Sequence, residues 1–323
     1  MNNKKKISLI VTFYNEEESV DTFIKETVPI LEGLKDLNYE IIFVNDRSTD
    51  NSLKKLLEQR KSNKKIKIIN LSRRFGPMES IMAGIKMSNG DALINIDIDL
   101  QDPPALIPEM VKFWNEEHYD VVFTTRTNRQ GESVFKRIIS SFGYRLLKRF
   151  TYIQMEKDSG DFKLISRRVI SEYKKFKEIY PFFRFIVDWI GFKKKQIFYE
   201  RKPRRKGKTK HPMSLNVIFN FFEISLMPFT DAPIRFALLF GIFSFFVTTI
   251  ILLRTLFLYF SGAIAISSTS IFIAILLFGS VQSLILGLLA IYISSIFKET
   301  KNRPLYIIDN TVGFEEPNIN KIP

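Results

Sequence analysis

The sequence contains no cysteine, only two histidines (His118 and His211) and no glycine-rich phosphate loop. Without thiols there are no disulfides or thiolate metal sites, and two histidines do not make the nitrogen-rich set that zinc favours. No G-x-G-x-x-G or P-loop follows the first apolar run, so dinucleotide binding and P-loop ATP hydrolysis lose most of their support. Negative charge is in deficit: 48 Lys and Arg stand against 34 Asp and Glu, a net charge of +14. The whole excess lies in residues 1–212, with 42 basic against 28 acidic side chains, whereas 213–323 carry six of each. A basic soluble part suits nucleic acid, phosphorylated substrates or an anionic membrane surface.

The second part chooses among these. Residues 236–253 (FALLFGIFSFFVTTIILL) carry no charge, and the apolar character resumes after Arg254 to about Phe260. Residues 271–297 are again uncharged, interrupted only by Gln282 and small polar side chains. Crossing the hydrocarbon of a bilayer takes ~20 apolar residues, so transmembrane helices are expected at about 236–260 and 271–297. Lys193–Lys210 hold ten basic residues against Glu200 alone before the first span, and Lys298, Lys301 and Arg303 follow the second. The positive-inside rule then puts both ends in the cytoplasm, with Arg254 snorkelling at the outer end. Met1–Lys6 is basic, but Ile7–Tyr14 is too short for a signal sequence. Leu215–Phe229 (LNVIFNFFEISLMPF) has one charge and reads as an interfacial helix in the headgroup layer. The expected organisation is a cytoplasmic domain over 1–212, a juxtamembrane amphipathic segment over 213–232, two spans within 233–298 and a cytoplasmic tail over 299–323. The hairpin, with no nucleic-acid-binding motif beside it, excludes nucleic acid as the partner.

Along 1–212, strand-like and helical runs alternate. Strands are expected at Ile7–Phe13, Glu40–Val44, Ile66–Leu71, Ala92–Ile98 and Val121–Thr125. Helices are expected over Glu16–Leu37, from a cap at Ser48 or Thr49 through Arg60, over Pro77–Met87 and over Pro104–Glu117. This pattern predicts an α/β fold with a mostly parallel, doubly wound sheet. Ligands of such sheets bind beyond the carboxyl ends of the strands. That rule gathers Thr12–Glu17, Asn45–Asp50 and Asp97–Asp102 into one site.

Residues 92–104 (ALINIDIDLQDPP) end an apolar strand in three aspartates and a glutamine. On an extended strand Asp97 and Asp99 share a side, and Gln101 continues it. Two hard oxygen anions there suit Mg²⁺ or Mn²⁺, which keep several waters and share phosphate oxygens with a substrate. A solvated acidic turn is the alternative for a lone D-x-D.

The ordered series SLIVTFYNEEESV, EIIFVNDRSTDNS, NLSRRFGPMESIMAGI, NIDIDLQDPP, RQGESVFKR, GDFKLISR and RRKGKTK, followed by two terminal spans, decides against the turn. It resembles the bacterial polyprenyl-phosphate glycosyltransferases: inverting family 2 enzymes of GT-A fold, similar to bactoprenol glucosyltransferases and dolichol-phosphate mannose synthases. The resemblance covers about residues 6–300. It implies transfer of a sugar from UDP-glucose or a UDP-N-acetylhexosamine to undecaprenyl phosphate. GDP-mannose-dependent polyprenyl-phosphate mannose synthesis is the alternative, as is a polysaccharide synthase of the same fold. Those synthases usually carry a Q-x-x-R-W segment and more spans, and neither is present here.

Carried over by position, the resemblance gives Tyr14, Asn15, Glu16, Asp46, Ser48 and Asp97 to the donor, with Asp46 on its base. Asp97, Asp99 and Gln101 match the residues that hold Mg²⁺ or Mn²⁺. Asp161 matches the catalytic aspartate, with a helix-cap or turn carboxylate as its alternative, and Arg137 is placed with it. Lys163 and Arg167 are expected near phosphate oxygens. A lipid phosphate is already a dianion at neutral pH, its second pKa being near ~6, and needs positioning and charge neutralisation more than a general base. Arg126, Arg129, Lys136, Arg137, Arg201, Arg204 and Lys210 are the expected cations for it. Two departures stand out: the usual Asp-Asp-Gly-Ser reads Asn45-Asp46-Arg47-Ser48, and the usual RNFG reads Arg73-Arg74-Phe75-Gly76. The expected partners are a nucleotide sugar, undecaprenyl phosphate and anionic membrane lipids, in a homo-oligomer if the chain follows tetrameric relatives.

Overall fold

The computed structural model describes residues 4–127, 159–176, 183–200, 232–262 and 268–314. Residues 4–127, 159–176, 183–200 and 303–314 belong to one compact unit, and 232–262 with 268–302 to a second.

The first unit is an α/β sandwich built on one mixed, mostly parallel sheet. Its strands are β1 (Lys6–Phe13), β2 (Asn38–Asn45), β3 (Ile66–Leu71), β4 (Ala92–Asp97), β5 (Val121–Arg126), β6 (Ser159–Ser166), β7 (Lys194–Tyr199) and β8 (Ile308–Val312), in the sheet order β7-β5-β6-β4-β1-β2-β3-β8. The block β4-β1-β2-β3 is parallel throughout, β6 runs antiparallel between β4 and β5, and β8 runs antiparallel on the edge of β3. β1 is apolar over most of its length because helices cover both of its faces, as a central parallel strand requires. Ile7, Leu9 and Val11 pack on one face with Phe23 of α1 (Val20–Glu32), Leu56 of α2 (Ser52–Ser62) and Met110 of α4 (Ile107–Asn115). Ile10 faces the other layer, with Ile81 of α3 (Pro77–Met87), Val169 of α5 (Arg167–Tyr173) and Ile186 of α6 (Phe183–Ile190).

Three local expectations change. The first helix spans Val20–Glu32, not 16–37, because the backbone N–H groups of Glu16 and Glu17 are tied to Ser52 and Asp50 rather than joining a helical ladder. Ser48 and Thr49 do not cap the second helix: Ser48 Oγ accepts from Asn15 N–H, Thr49 N–H donates to Asn15, and the helix starts after Asn51. Strand β4 stops at Asp97 and the chain turns at Ile98–Asp99, with Leu100 at a φ of +56°. Asp97, Asp99 and Gln101 therefore do not share one side of an extended strand; a reverse turn brings the segment round, and Asp99 Oδ1 accepts from Gln101 N–H at 3.1 Å.

The second unit consists of α7 (Ala232–Phe260) and α8 (Ser268–Thr300). Within them Ala237–Phe260 and Ile275–Thr300, 24 and 26 residues, are long and apolar enough to cross a membrane. Leu238, Phe243, Phe257, Leu284 and Ile293 are all exposed, a surface suited to lipid rather than water.

Candidate active site

Parallel pairing fixes where the three strand-end loops meet. Phe13 pairs with Asn45 and Thr12 with Asp97, so β1, β2 and β4 end level with one another. β2 and β3 lie on one side of β1 and β4 on the other, which makes the β1/β4 crevice the topological switch point. Of the five non-glycine residues with positive φ among the described residues, Asn15 (+52°), Arg47 (+60°) and Leu100 (+56°) each follow one of these strand ends. Such conformations cost about 1–2 kcal/mol each outside glycine, and clustering of backbone strain marks functional loops.

The first two loops are stitched together. Asn15 N–H donates to Ser48 Oγ at 3.0 Å, and Asn15 Oδ1 accepts from Thr49 N–H at 2.7 Å. Asp46 reaches the next loop: its two carboxylate oxygens accept from Phe75 N–H at 2.7 Å and Gly76 N–H at 3.1 Å. Gly76 has a φ of +135°, which only glycine adopts readily. Burial pushes the Asp46 carboxyl up, more than the two N–H donors and the Arg74 and Arg73 charges pull it down. Glu79, at the start of α3, is likewise raised, first by burial and then by Asp46 itself. The Arg74 guanidinium lies over the Tyr14 ring, 4.1 Å from its centre, closing the β1 loop against the β3 loop.

Beyond β4 the site continues through β6 and β5. Asp161 lies within strand β6, not in a cap or turn, and Arg184 of α6 donates to it through Nη2 at 2.9 Å and Nε at 3.4 Å. Burial works to raise the Asp161 carboxyl, but Arg184, with help from Lys163 and Arg126, holds it below the ordinary aspartate range. Asn95 of β4 donates to the Asp161 carbonyl at 3.1 Å, fixing β6 against β4. Asp102 is buried; it accepts from Tyr199 Oη and lies 3.7 Å from Arg126, whose Nε donates to Tyr199 Oη at 3.2 Å. Burial and the neighbouring Asp102 push the Tyr199 phenol up to about 12.

Among the described residues no three His, Cys, Asp or Glu gather into a complete metal cage. Asp97 and Asp99 supply two half-buried carboxylates. That donor set fits Mg²⁺ or Mn²⁺, which take one or two carboxylates and fill the remaining positions with water and phosphate oxygens. It does not fit a structural metal.

Tyr14, Asn15, Glu16, Asp46, Ser48, Asp99 and Gln101 thus lie on adjoining loops, Asp97 ends β4, and Arg126 and Asp161 lie on the neighbouring strands. Arg129, Lys136, Arg137, Arg201, Arg204, Lys210 and the segment Leu215–Phe229 lie outside the described residues. Two expectations are overturned. Lys163 is 1% exposed, on the inner face of β6, and cannot meet a phosphate in solvent. Arg167 sits past the other end of β6, its N–H bonded to the Asp91 carbonyl at the amino end of β4. Sequence reasoning missed Arg184, Tyr199, Glu79 and the pairing of Arg126 with Asp102. For Arg184 there was a signal: it is a lone charge in the apolar run YPFFRFIV.

A model described as Glycosyl transferase family 2 matches residues 8–174. The chain is 37% identical over 319 residues to a Bacillus subtilis (strain 168) protein named uncharacterized glycosyltransferase YkcC, covering 98% of this chain and 97% of that one. It is 35% identical over 323 residues to the uncharacterized glycosyltransferase sll0501 of Synechocystis sp. (strain ATCC 27184 / PCC 6803 / Kazusa), covering 98% and 99%. It is 32% identical over 309 residues to the bactoprenol glucosyl transferase of Shigella phage SfV, covering 94% and 98%.

Proposed function

This chain belongs to glycosyl transferase family 2 and is a glycosyltransferase, and from that premise we propose that it transfers a sugar from a nucleotide sugar to a polyprenyl phosphate, with inversion, at the cytoplasmic face of a membrane. The donor is a UDP-hexose or UDP-N-acetylhexosamine and the acceptor undecaprenyl phosphate. The observation that carries this reading is the presence, in one chain, of a strand-end site with a Mg²⁺- or Mn²⁺-type carboxylate pair and two helices apolar enough to cross a bilayer. The likeness to a bactoprenol glucosyl transferase along nearly the whole chain supports it. In sequence, α7 and α8 lie between two parts of the first unit, and the proposal puts the outer ends of both helices on the cytoplasmic side.

In the reaction a phosphate oxygen of the lipid attacks the anomeric carbon from the face opposite the leaving group. The bond from that carbon to the diphosphate oxygen breaks, and its electron pair leaves on the nucleoside diphosphate. No proton is removed, because the attacking phosphate is already ionised above pH ~6. Mg²⁺ or Mn²⁺, held by Asp97 and Asp99 with Gln101 beside them, would stabilise the charge that grows on the diphosphate. Tyr14, Asn15, Glu16, Asp46 and Ser48 shape the nucleotide side. Asp161, kept ionised by Arg184, orients a sugar hydroxyl rather than taking a proton. Arg126, anchored by Asp102 and Tyr199, keeps positive charge at the end of β5. Arg129, Lys136, Arg137, Arg201, Arg204 and Lys210 serve the acceptor phosphate and anionic headgroups.

Asp99→Ala tests the leaving-group side. Transfer is expected to fall at least a hundredfold with Mg²⁺ or Mn²⁺, while the variant still fractionates with membranes. Near-normal turnover would remove the metal from the assignment.

A further inference from the structure

At the carboxyl ends of β2 and β3, three asparagines stand in register across neighbouring strands: Asn45 pairs with Asn70, and Asn70 with Asn310 of β8. Their amides form a continuous chain. Ser48 N–H donates to Asn45 Oδ1 at 2.8 Å, Asn45 Nδ2 to Asn70 Oδ1 at 3.1 Å, Asn70 Nδ2 to Asn310 Oδ1 at 2.6 Å, and Asn310 Nδ2 to Asp309 Oδ2 at 3.1 Å. Asp309 Oδ2 also accepts from Arg47 Nη1 at 3.4 Å, which brings the chain back to the turn where it began.

The direction of this chain is fixed at both ends. A backbone N–H only donates, so Asn45 must present its oxygen to Ser48 and its nitrogen to Asn70. An ionised carboxylate only accepts, so Asn310 must present its nitrogen to Asp309 and its oxygen to Asn70. Asn70, between them and 6% exposed, can satisfy both neighbours in one orientation alone. The turn 45–48 is thereby held from the far side by a strand that follows both apolar helices. The same turn carries Asp46 and, through Ser48 Oγ, the backbone of Asn15.

We propose that β8 is a working part of the nucleotide site: Asn70 and Asn310 are positioning residues that set the 45–48 turn, and through it the Asn15 loop, for the donor. The proposal rests on the nucleotide-sugar reading above. Asp309 and Arg47 close the ring, which gives the arginine at the usual glycine position a role. Because β8 follows the second apolar helix in sequence, the donor side of the site is complete only when the chain past that helix has joined the sheet.

The test uses the full chain in detergent or nanodiscs with Mn²⁺, measuring affinity for UDP and GDP, donor and acceptor KM, and thermal unfolding. Asn310 is exposed, so Asn310→Ala leaves the core intact. Its expected effect is a rise of about tenfold in nucleotide Kd and donor KM, with acceptor KM unchanged. Asn70→Asp keeps the shape but presents an acceptor where a donor is required, and is expected to weaken the nucleotide at least as much. Thr311→Ala, on the opposite face of β8, is expected to bind like the unaltered chain. Nucleotide affinity within twofold of the unaltered chain for Asn310→Ala overturns the proposal. So does an equal rise in donor and acceptor KM with a lowered unfolding temperature, which would mark a merely structural strand. If the unaltered chain binds neither nucleotide, the donor reading itself fails, and the proposal with it.

Discussion

Asp161 is a carboxylate that its surroundings keep ionised. Burial alone would raise it; Arg184 reverses the sign. Its contribution to stability is therefore full above pH ~4 and lost as the pH falls through its lowered folded value. Under the proposed function, an acid limb near pH ~6 in transfer is assigned to the acceptor phosphate. Arg184→Met strips Asp161 of its partner in a site where both side chains are about a quarter exposed. Turnover is expected to drop about tenfold or more, and a second acid limb to appear, so that activity falls more steeply below neutrality. A pH–rate profile with the shape of the unaltered enzyme would contradict this. Arg47 offers a second test at the same scale, being an arginine held at a φ of +60°. Its backbone costs about 1–2 kcal/mol relative to glycine, while its exposed ion pair with Asp309 returns no more than about 1 kcal/mol. Arg47→Gly is expected to stay within about 1 kcal/mol of the unaltered chain, and Arg47→Val to lie about 1–2 kcal/mol below the glycine variant. Thermal unfolding of the two variants compares them directly; a valine variant at least as stable as the glycine one would contradict the strain.

Strand β6 shows how an element carries a cost inside the fold. Lys163 lies on its inner face, where burial pulls the amine down to about 8, partly offset by Asp188 and Asp161. Between that value and the ~10.4 of an unfolded lysine, the unfolded chain binds more protons, so stability rises with pH. The cost of burying the Lys163 charge is relieved as the pH rises from 7.5 to 9.5, so stability is expected to increase across that range and Lys163→Met to flatten the rise. Unfolding at the two pH values measures it, and an unchanged slope in the methionine variant would show that the buried amine is not its source. At this scale the apolar runs in 7–125 were legible as strands, because a strand covered on both faces needs little but Ile, Val, Leu and Phe. The three strand-end loops followed from the topology rule alone. What escaped was side-chain pairing across elements distant in sequence: Asp161 with Arg184, Asp102 with Tyr199, and Asn70 with Asn310. The turn after Asp97 was hidden because Asp97-Ile98-Asp99 alternates like a strand, and nothing local announces the positive φ of Leu100. β8, reading IDNTV, is too short and polar to signal a strand, and it pairs with a partner over two hundred residues earlier.

Across the whole molecule, composition already separated a basic soluble part from two long apolar stretches, and helices of 29 and 33 residues now contain those stretches. The same unit opens and closes the described chain, because β8 returns to the sheet that β1 begins. Under the proposed function, a donor at the strand ends and a polyprenyl phosphate acceptor call for a lipid-linked product. The most direct measurement incubates membranes containing the chain with undecaprenyl phosphate, Mn²⁺ and, in parallel, UDP-glucose, UDP-N-acetylglucosamine, UDP-N-acetylgalactosamine and GDP-mannose, followed by mass analysis of the lipid. The expected result is an undecaprenyl phosphate heavier by one hexose or one N-acetylhexosamine from a UDP donor, absent with Asp99→Ala. Free sugar, polymer or an unaltered lipid with every donor would contradict it.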